Sequence, residues 1–82
     1  MIRCHLARLL GERKLKIADV ARDTGVNRGT LSRMYYETAE RYDAAVLDVL
    51  CVHLKCTVAD LLEFDAGGPE DQVTKLGPRR TG

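Results

Sequence analysis

Residues 17–36 hold two short amphipathic patterns that meet at a single glycine, and this junction restricts the folds open to the chain. The stretch reads IADVARDTGVNRGTLSRMYY. Apolar residues recur at helical spacing on both sides of Gly25, and Asn27 is a favourable N-cap for the second pattern. Glycine is also the residue expected where a helix closes in a left-handed conformation. The sequence therefore predicts two helices, residues 17–24 and 28–36, joined by a tight turn.

Two helices joined in this way form a helix-turn-helix, whose second helix can enter the major groove of DNA. The motif needs a small residue where the helices cross, and Ala21 occupies that place. Gly25 follows four positions later and tolerates a positive φ in the turn. Leu31 and Met34 fall on the side of the second helix that would pack against the first. Arg28 and Arg33 then fall on its other side, together with small or polar residues.

The rest of the chain predicts three further helices and no strand before the C-terminal segment. A first helix of about three turns begins at Ile2, because Ile2, Leu6 and Leu9 recur at helical spacing. A fourth helix over residues 44–55 is capped by Asp43. A fifth runs from residue 58 to about residue 64 after the N-cap Thr57, with Leu61 and Leu62 on its buried side and Phe64 as a further candidate for that side. The loop falls at residues 37–42, and a short strand is conceivable only at residues 72–76.

The domain organisation follows from this pattern. Residues 1–64 are expected to form one all-α helix-turn-helix domain, and the Gly- and Pro-rich residues 65–82 are expected to be a flexible tail. The apolar runs are far too short to span a bilayer, and the N-terminus has no signal-peptide pattern. We therefore expect a cytoplasmic protein without a membrane partner.

Two segments resemble the Cro/repressor-type helix-turn-helix family. TLSRMYY is similar to that family's recognition helix, and LDVLCVHLKCTVADLLEF is similar to its last two helices. The resemblance covers about residues 2–64. It implies the lambda-repressor-like fold of five short helices and sequence-specific binding of double-stranded DNA, most often as a repressor. One position departs from the pattern: Ile17 stands where many relatives carry a phosphate-binding Gln.

The resemblance also implies which residues meet DNA. Arg28 and Gly29, followed one turn later by Ser32 and Arg33, occupy the positions that face base edges. Arg can make a bidentate pair with guanine, although both arginines could also be ordinary solvated surface residues. The remaining DNA-binding candidates would contact the phosphate backbone: Asn27, Thr30, Tyr36, Lys16 and Arg41, with Lys14 as a further possible anchor in place of the missing Gln.

The net charge of +1 hides an uneven distribution. Residues 1–36 carry eight Lys and Arg against three Asp and Glu, a net charge of +5. Residues 37–65 carry two basic against seven acidic residues, a net charge of −5. Such an asymmetry lets one half face a polyanion while the other half turns away, although an unevenly charged solvated surface would look the same.

No catalytic or metal-binding constellation is visible in the sequence, so we expect neither an enzyme nor a cofactor. Three cysteines make an odd count, which argues against a disulfide framework. Cys51, His53 and Cys56 invite a metal interpretation. However, Cys51 and His53 are two apart on a predicted helix and point to different sides, so small buried thiols are the better interpretation.

The fourth predicted helix also suggests a homodimer. Its core side carries Leu47, Leu50, Cys51 and Leu54, which leaves Val46, Val49 and Val52 as an apolar patch on another side. A two-fold dimer would bury this patch against its own copy and bind a palindromic operator. The valines could instead pack under the tail, against Val73 and Leu76. The main alternative function is an antitoxin-like or adaptor module that binds proteins first and DNA second.

Overall fold

The computed structural model describes residues 1–66, which form five helices and one two-stranded antiparallel sheet. The strands are β1 (Ile2–Cys4) and β2 (Leu62–Phe64). The helices are α1 (Leu6–Glu12), α2 (Ile17–Thr24), α3 (Arg28–Tyr35), α4 (Ala44–Leu54) and α5 (Val58–Leu61). The five predicted helices are present, and the sheet is an element that an all-α prediction missed. The expected flexible tail at residues 65–82 lies almost entirely outside the described residues, and so do the strand considered at 72–76 and the alternative packing through Val73 and Leu76.

The starts of three helices are set by the side chains that the sequence predicted as N-caps. Asn27 Oδ1 accepts hydrogen bonds from the N–H groups of Gly29 and Thr30 at 2.7 and 3.2 Å. Asp43 caps α4 by accepting from the Ala45 N–H at 2.8 Å. Thr57 Oγ1 accepts from the Asp60 N–H at 3.2 Å. Each cap satisfies N–H groups that have no partner inside the helix, so the boundaries follow local chemistry.

The N-terminal segment forms a strand instead of the predicted first turn of helix. Ile2 pairs with Phe64, Arg3 with Glu63 and Cys4 with Leu62, and the His5 N–H extends the pairing by donating to the Leu61 carbonyl oxygen at 2.7 Å. The sequence prediction was wrong here because Ile2 shares the helical spacing of the core leucines. Ile2 is 54% exposed, whereas Leu6 is completely buried.

The same pairing shortens the last helix. α5 ends at Leu61, and the next three residues form β2, because their backbone groups pair with β1 instead of continuing the helix. Phe64 was a candidate for the core, but it is 64% exposed and lies opposite Ile2 on the ribbon. The sheet therefore joins the two ends of the domain, and β2 reaches the core only through the partly buried Leu62.

The core is entirely apolar and lies between the helices. α3 packs against α1 and α2, α2 packs against α4, and α4 packs against α5. Leu31 and Met34 anchor α3 from its inner side, as the sequence predicted, and they are 0% and 2% exposed. The fully buried set contains no polar or charged side chain among residues 1–66. Its members are Cys4, Leu6, Leu9, Leu10, Val20, Leu31, Met34, Leu50, Leu54 and Leu61.

A polar clamp fastens the end of α3 to β1. Glu37, two residues beyond α3, has a positive φ of 58°. Its carboxylate accepts hydrogen bonds from Arg3 Nε at 2.7 Å and from Arg3 Nη2 at 3.1 Å, and also from the Cys4 N–H at 3.3 Å. The bonds from Arg3 are the main reason that the pKa of Glu37 falls to about 2. The clamp therefore connects the sheet to α3 through charge, in addition to the packing underneath.

Candidate nucleic-acid interface

The turn between α2 and α3 is fixed by hydrogen bonds from its own residues. Gly25 has a φ of 80°, in the left-handed region, and its N–H donates to the Ala21 carbonyl oxygen at 2.9 Å. The Thr24 hydroxyl donates to the Val20 carbonyl oxygen at 2.6 Å and accepts from the Val26 N–H at 3.2 Å. A Cβ on Gly25 would meet no atom within 4 Å, so the positive φ, and not a lack of space, is the reason for glycine.

The outer side of α3 is exposed and basic. Arg28, Arg33 and Tyr36 are exposed, and Tyr36 keeps 67% of its accessible surface. Gly29, Thr30 and Ser32 are partly exposed between them. Because the opposite side of α3 is held in the core, this outer surface is presented to solvent in a fixed orientation. We call this surface, residues 28–30, 32, 33 and 36, the α3 outer face.

Ion pairing separates the basic residues into two groups. Arg3, Arg8, Arg13 and Arg22 each lie within 4 Å of a carboxylate oxygen. The basic residues without an ion pair inside residues 1–66 are Lys14, Lys16, Arg28, Arg33, Arg41 and Lys55. The second group includes every Lys and Arg that the sequence analysis assigned to DNA. Their charge is not offset by a neighbouring carboxylate, so it stays available to a polyanion.

The start of α3 explains the glycine at position 29. A Cβ there would lie 2.9 Å from Asn27 Oδ1, the atom that caps the helix, and 3.4 Å from a guanidinium nitrogen of Arg33. Arg33 Nη2 also donates to the Thr30 hydroxyl at 3.4 Å, so the Arg33 side chain leans back along the helix toward its start. Glycine therefore leaves room for the N-cap and for the arginine at the same time.

A surface hollow of about 320 Å³ adjoins the α3 outer face. Its lining includes Lys16, Ile17, Arg28, Tyr35 and Tyr36, and the two tyrosine rings meet edge to face with their centroids 4.9 Å apart. The structure thus brings three of the predicted contact residues, Lys16, Arg28 and Tyr36, to one place. Tyr35 was not among the predicted contact residues, so its position in this lining is an addition.

Ile17, which stands where many relatives carry a phosphate-binding Gln, has a packing role in this structure. Ile17 is partly buried and packs against the core, so it contributes apolar contact where a phosphate ligand would otherwise stand. The neighbouring Lys16 is exposed, and its backbone N–H donates to the Asp19 carboxylate at 3.0 Å. Arg41 is exposed in the loop between α3 and α4, and it does not line the hollow.

The valines proposed for a dimer differ in exposure. Val52 is 73% exposed and Val49 is 37% exposed, whereas Val46 is half-buried and packs against the core. Val49 and Val52 line a shallow hollow of about 340 Å³ with Asp23, Thr24, Asp48 and His53, where α4 meets the end of α2. An apolar patch is therefore present on α4, and it is smaller than three fully exposed valines would make it.

A metal-binding cluster and a membrane-spanning helix are both absent from the described part of the chain. Residues 1–66 hold no group of three or more His, Cys, Asp or Glu side chains that could bind a metal ion. Within the same residues, every helix is too short or too polar to cross a membrane.

Comparison with known families places this geometry in a wider context. No curated protein and no solved structure matches the chain significantly. The family model described as the Cro/C1-type HTH DNA-binding domain matches residues 5–67. The match includes α2, the turn and α3, and it continues through α5 and β2. The chain therefore belongs to the Cro/C1-type helix-turn-helix DNA-binding domain family.

Proposed function

We propose that this protein is a cytoplasmic transcriptional repressor that binds a specific double-stranded DNA sequence and reads the major groove with residues 28–36. The observation that carries the proposal is the α3 outer face. It presents Arg28 and Arg33 with no ion-pair partner among residues 1–66, on a helix whose opposite side is buried. A helix held in this way can enter the groove while its inner side stays packed in the core.

The residues have separate roles in this proposal. Arg28 and Arg33 bind base edges, and each bidentate pair with guanine contributes about 1–3 kcal/mol of discrimination. Gly29 and Ser32 let the backbone approach the groove between them. Phosphates are held by the remaining candidates, which fix the register on the duplex without reading sequence: Lys16, Asn27, Thr30, Tyr36 and Arg41.

Selection from a random pool of DNA duplexes, followed by gel-shift titration, tests the assignment. Arg28→Ala and Arg33→Ala should each weaken binding to the selected site by about 5-fold to 150-fold, which corresponds to 1–3 kcal/mol. Arg22→Ala is the matched control, because it removes the same charge from an arginine on α2 that pairs with Asp19 and Asp23. Wild-type specificity in both test variants would refute the role of α3. A failure to enrich any sequence would favour the protein-binding alternative.

We also propose a homodimer that buries Val49 and Val52 and binds a palindromic operator. A two-fold interface uses the same patch twice, and it would place two copies of α3 on half-sites about 34 Å apart. The exposure of Val52 supports this proposal, because a large apolar side chain is left on the surface of α4. Val46 belongs to the same interface only at its edge, since it is partly covered by the core.

Sedimentation of the double variant Val49→Lys/Val52→Lys tests the dimer. The wild type should sediment as a dimer at tens of micromolar and the double variant as a monomer, with helical circular dichroism unchanged. Val58→Lys serves as the control, because Val58 is 51% exposed but lies on α5. A monomeric wild type, or a double variant that dimerises as well as the wild type, would show that this interface is wrong.

A further inference from the structure

Two cysteine side chains meet where α4 ends. Lys55 has a φ of 55°, and the N–H groups of Lys55 and Cys56 both donate to the carbonyl oxygen of Cys51, the latter at 3.0 Å. The bond from Cys56 to Cys51 is the longer-range bond of a Schellman motif, in which the two residues it links commonly make an apolar side-chain contact. In this chain both partners of that contact are cysteines, so the helix terminus itself holds two thiols together.

Both thiols are accessible. Cys51 and Cys56 are free and half-buried, whereas the sequence had predicted small buried thiols. Burial raises the pKa of Cys56, and the neighbouring Cys51 thiol adds to the effect. The two side chains line a groove of about 430 Å³ between α4 and α5, whose other walls include Ala44, Leu47 and Val58. The groove thus has a dithiol in its lining, with these apolar side chains and the polar Asp48 and Thr57 around it.

The number of ligands limits what this dithiol can bind. Zinc in proteins takes four ligands at a structural site and three at a catalytic site. No third His, Cys, Asp or Glu joins the two cysteines within residues 1–66. Two thiols are enough for a soft Lewis acid that forms strong bonds to sulfur and already carries a further substituent to complete its coordination. The apolar walls would then receive an organic group carried by the acceptor.

We propose that Cys51 and Cys56 form a bidentate site for a soft, thiophilic acceptor, and that trivalent organoarsenicals are the ligand class that fits it. An arsenoxide R–As=O condenses with both thiols: two As–S bonds form, two S–H bonds and the As=O bond break, and one water leaves. No electron is transferred, so no oxidant is required. The R group lies along Leu47 and Val58, and the reaction does not require the thiols to ionise in advance.

Phenylarsine oxide is the probe, added in equal concentration to the whole chain kept reduced with a phosphine, which does not compete as a dithiol would. Mass spectrometry under native conditions should show one phenylarsenic group per chain, with the loss of two hydrogens. Cys51→Ser and Cys56→Ser should each lose this adduct. Cys4→Ala should keep it, because Cys4 is only 3% exposed and lies in the core. An unmodified wild type, or an equally stable adduct in both serine variants, would overturn the proposal.

Thermal unfolding distinguishes a site in the folded protein from capture of the unfolded chain. A ligand that binds the native state more tightly raises Tm, and one that binds the unfolded chain more tightly lowers it. We expect the wild-type adduct to melt at a higher temperature than the free protein, with no change in the serine variants. A lower Tm of the adduct would mean that the arsenical opens the α4–α5 joint, and the proposal would be wrong.

Discussion

The clamp between Arg3 and Glu37 predicts a specific dependence of stability on pH. Glu37→Gln removes the charge but keeps the size of the side chain. The pKa of Glu37 falls from 4.5 to about 2 in the folded protein, and one pKa unit corresponds to about 1.4 kcal/mol for a group shielded from solvent. The side chains of Arg3 and Glu37 are 41% and 36% exposed, and solvent screens such a pair strongly. We therefore expect Glu37→Gln to lower the free energy of unfolding by about 1 kcal/mol at pH 7.

The sign of the pH effect follows from the lowered pKa. A carboxylate whose pKa is depressed by folding stabilises the protein above its unfolded value, and this stabilisation is lost as the pH falls through the folded value. The difference in Tm between wild type and Glu37→Gln should be about 4–8 °C at pH 7 for a domain of this size. It should shrink as the pH falls from about 5 to about 2, because the wild-type carboxylate becomes protonated in that range.

Circular dichroism melts of both proteins at several pH values measure this difference. Glu40→Gln is the control, because Glu40 lies in the same loop, is exposed and has no ion pair within residues 1–66. It should melt like the wild type throughout. Equal melting of Glu37→Gln and wild type at pH 7 would refute the clamp, and so would a difference that persists unchanged at pH 2.

Three further predictions concern the helix termini and the basic surface. Asn27→Ala should lower the free energy of unfolding by about 1 kcal/mol in chemical denaturation, because it leaves two N–H groups of α3 without their cap; unchanged stability would contradict the cap. Lys55→Gly should raise the free energy of unfolding by about 1 kcal/mol in the same assay, because Lys55 adopts a left-handed conformation that glycine takes without strain; a loss of stability would contradict this. DNA affinity measured by fluorescence anisotropy should fall with salt, with a log–log slope of roughly −3 per chain if Lys14, Lys16 and Arg41 supply about three phosphate contacts; a flat dependence would exclude this surface.

Local chemistry made much of the fold predictable. Gly25, Asn27, Asp43 and Thr57 act within a few residues of themselves, so their positions fixed the turn and the starts of three helices correctly. The inner side of α3 was predictable for the same reason, because Leu31 and Met34 repeat at helical spacing and are both buried. The boundaries of α2 and α4 agree with the sequence prediction to within one residue.

Long-range pairing was not predictable from local pattern. A three-residue strand is too short to show alternation, and five helices separate Ile2 from its partner Phe64 in the sequence. The ion pairs were not predictable for the same reason. Arg3 meets Glu37 because β1 lies beside the end of α3, and nothing near Arg3 in the sequence indicates this. The sequence therefore could not show which arginines are paired with a carboxylate. The contact between Cys51 and Cys56 depends on the left-handed Lys55, which the prediction had placed inside the helix.

The antiparallel ribbon of β1 and β2 has a mechanical consequence. Residues 1 and 65 leave the ribbon at the same end, where the Asp65 N–H donates to the Met1 carbonyl oxygen at 2.8 Å. A force that pulls residues 1 and 65 apart would break the hydrogen bonds of the ribbon one after another, starting at this end. It would not load all of them at the same time. The ribbon would therefore open at low force before the helices separate. The α3 outer face could stay intact while the ends are pulled apart, until the strain reaches Arg3 and its bond to Glu37.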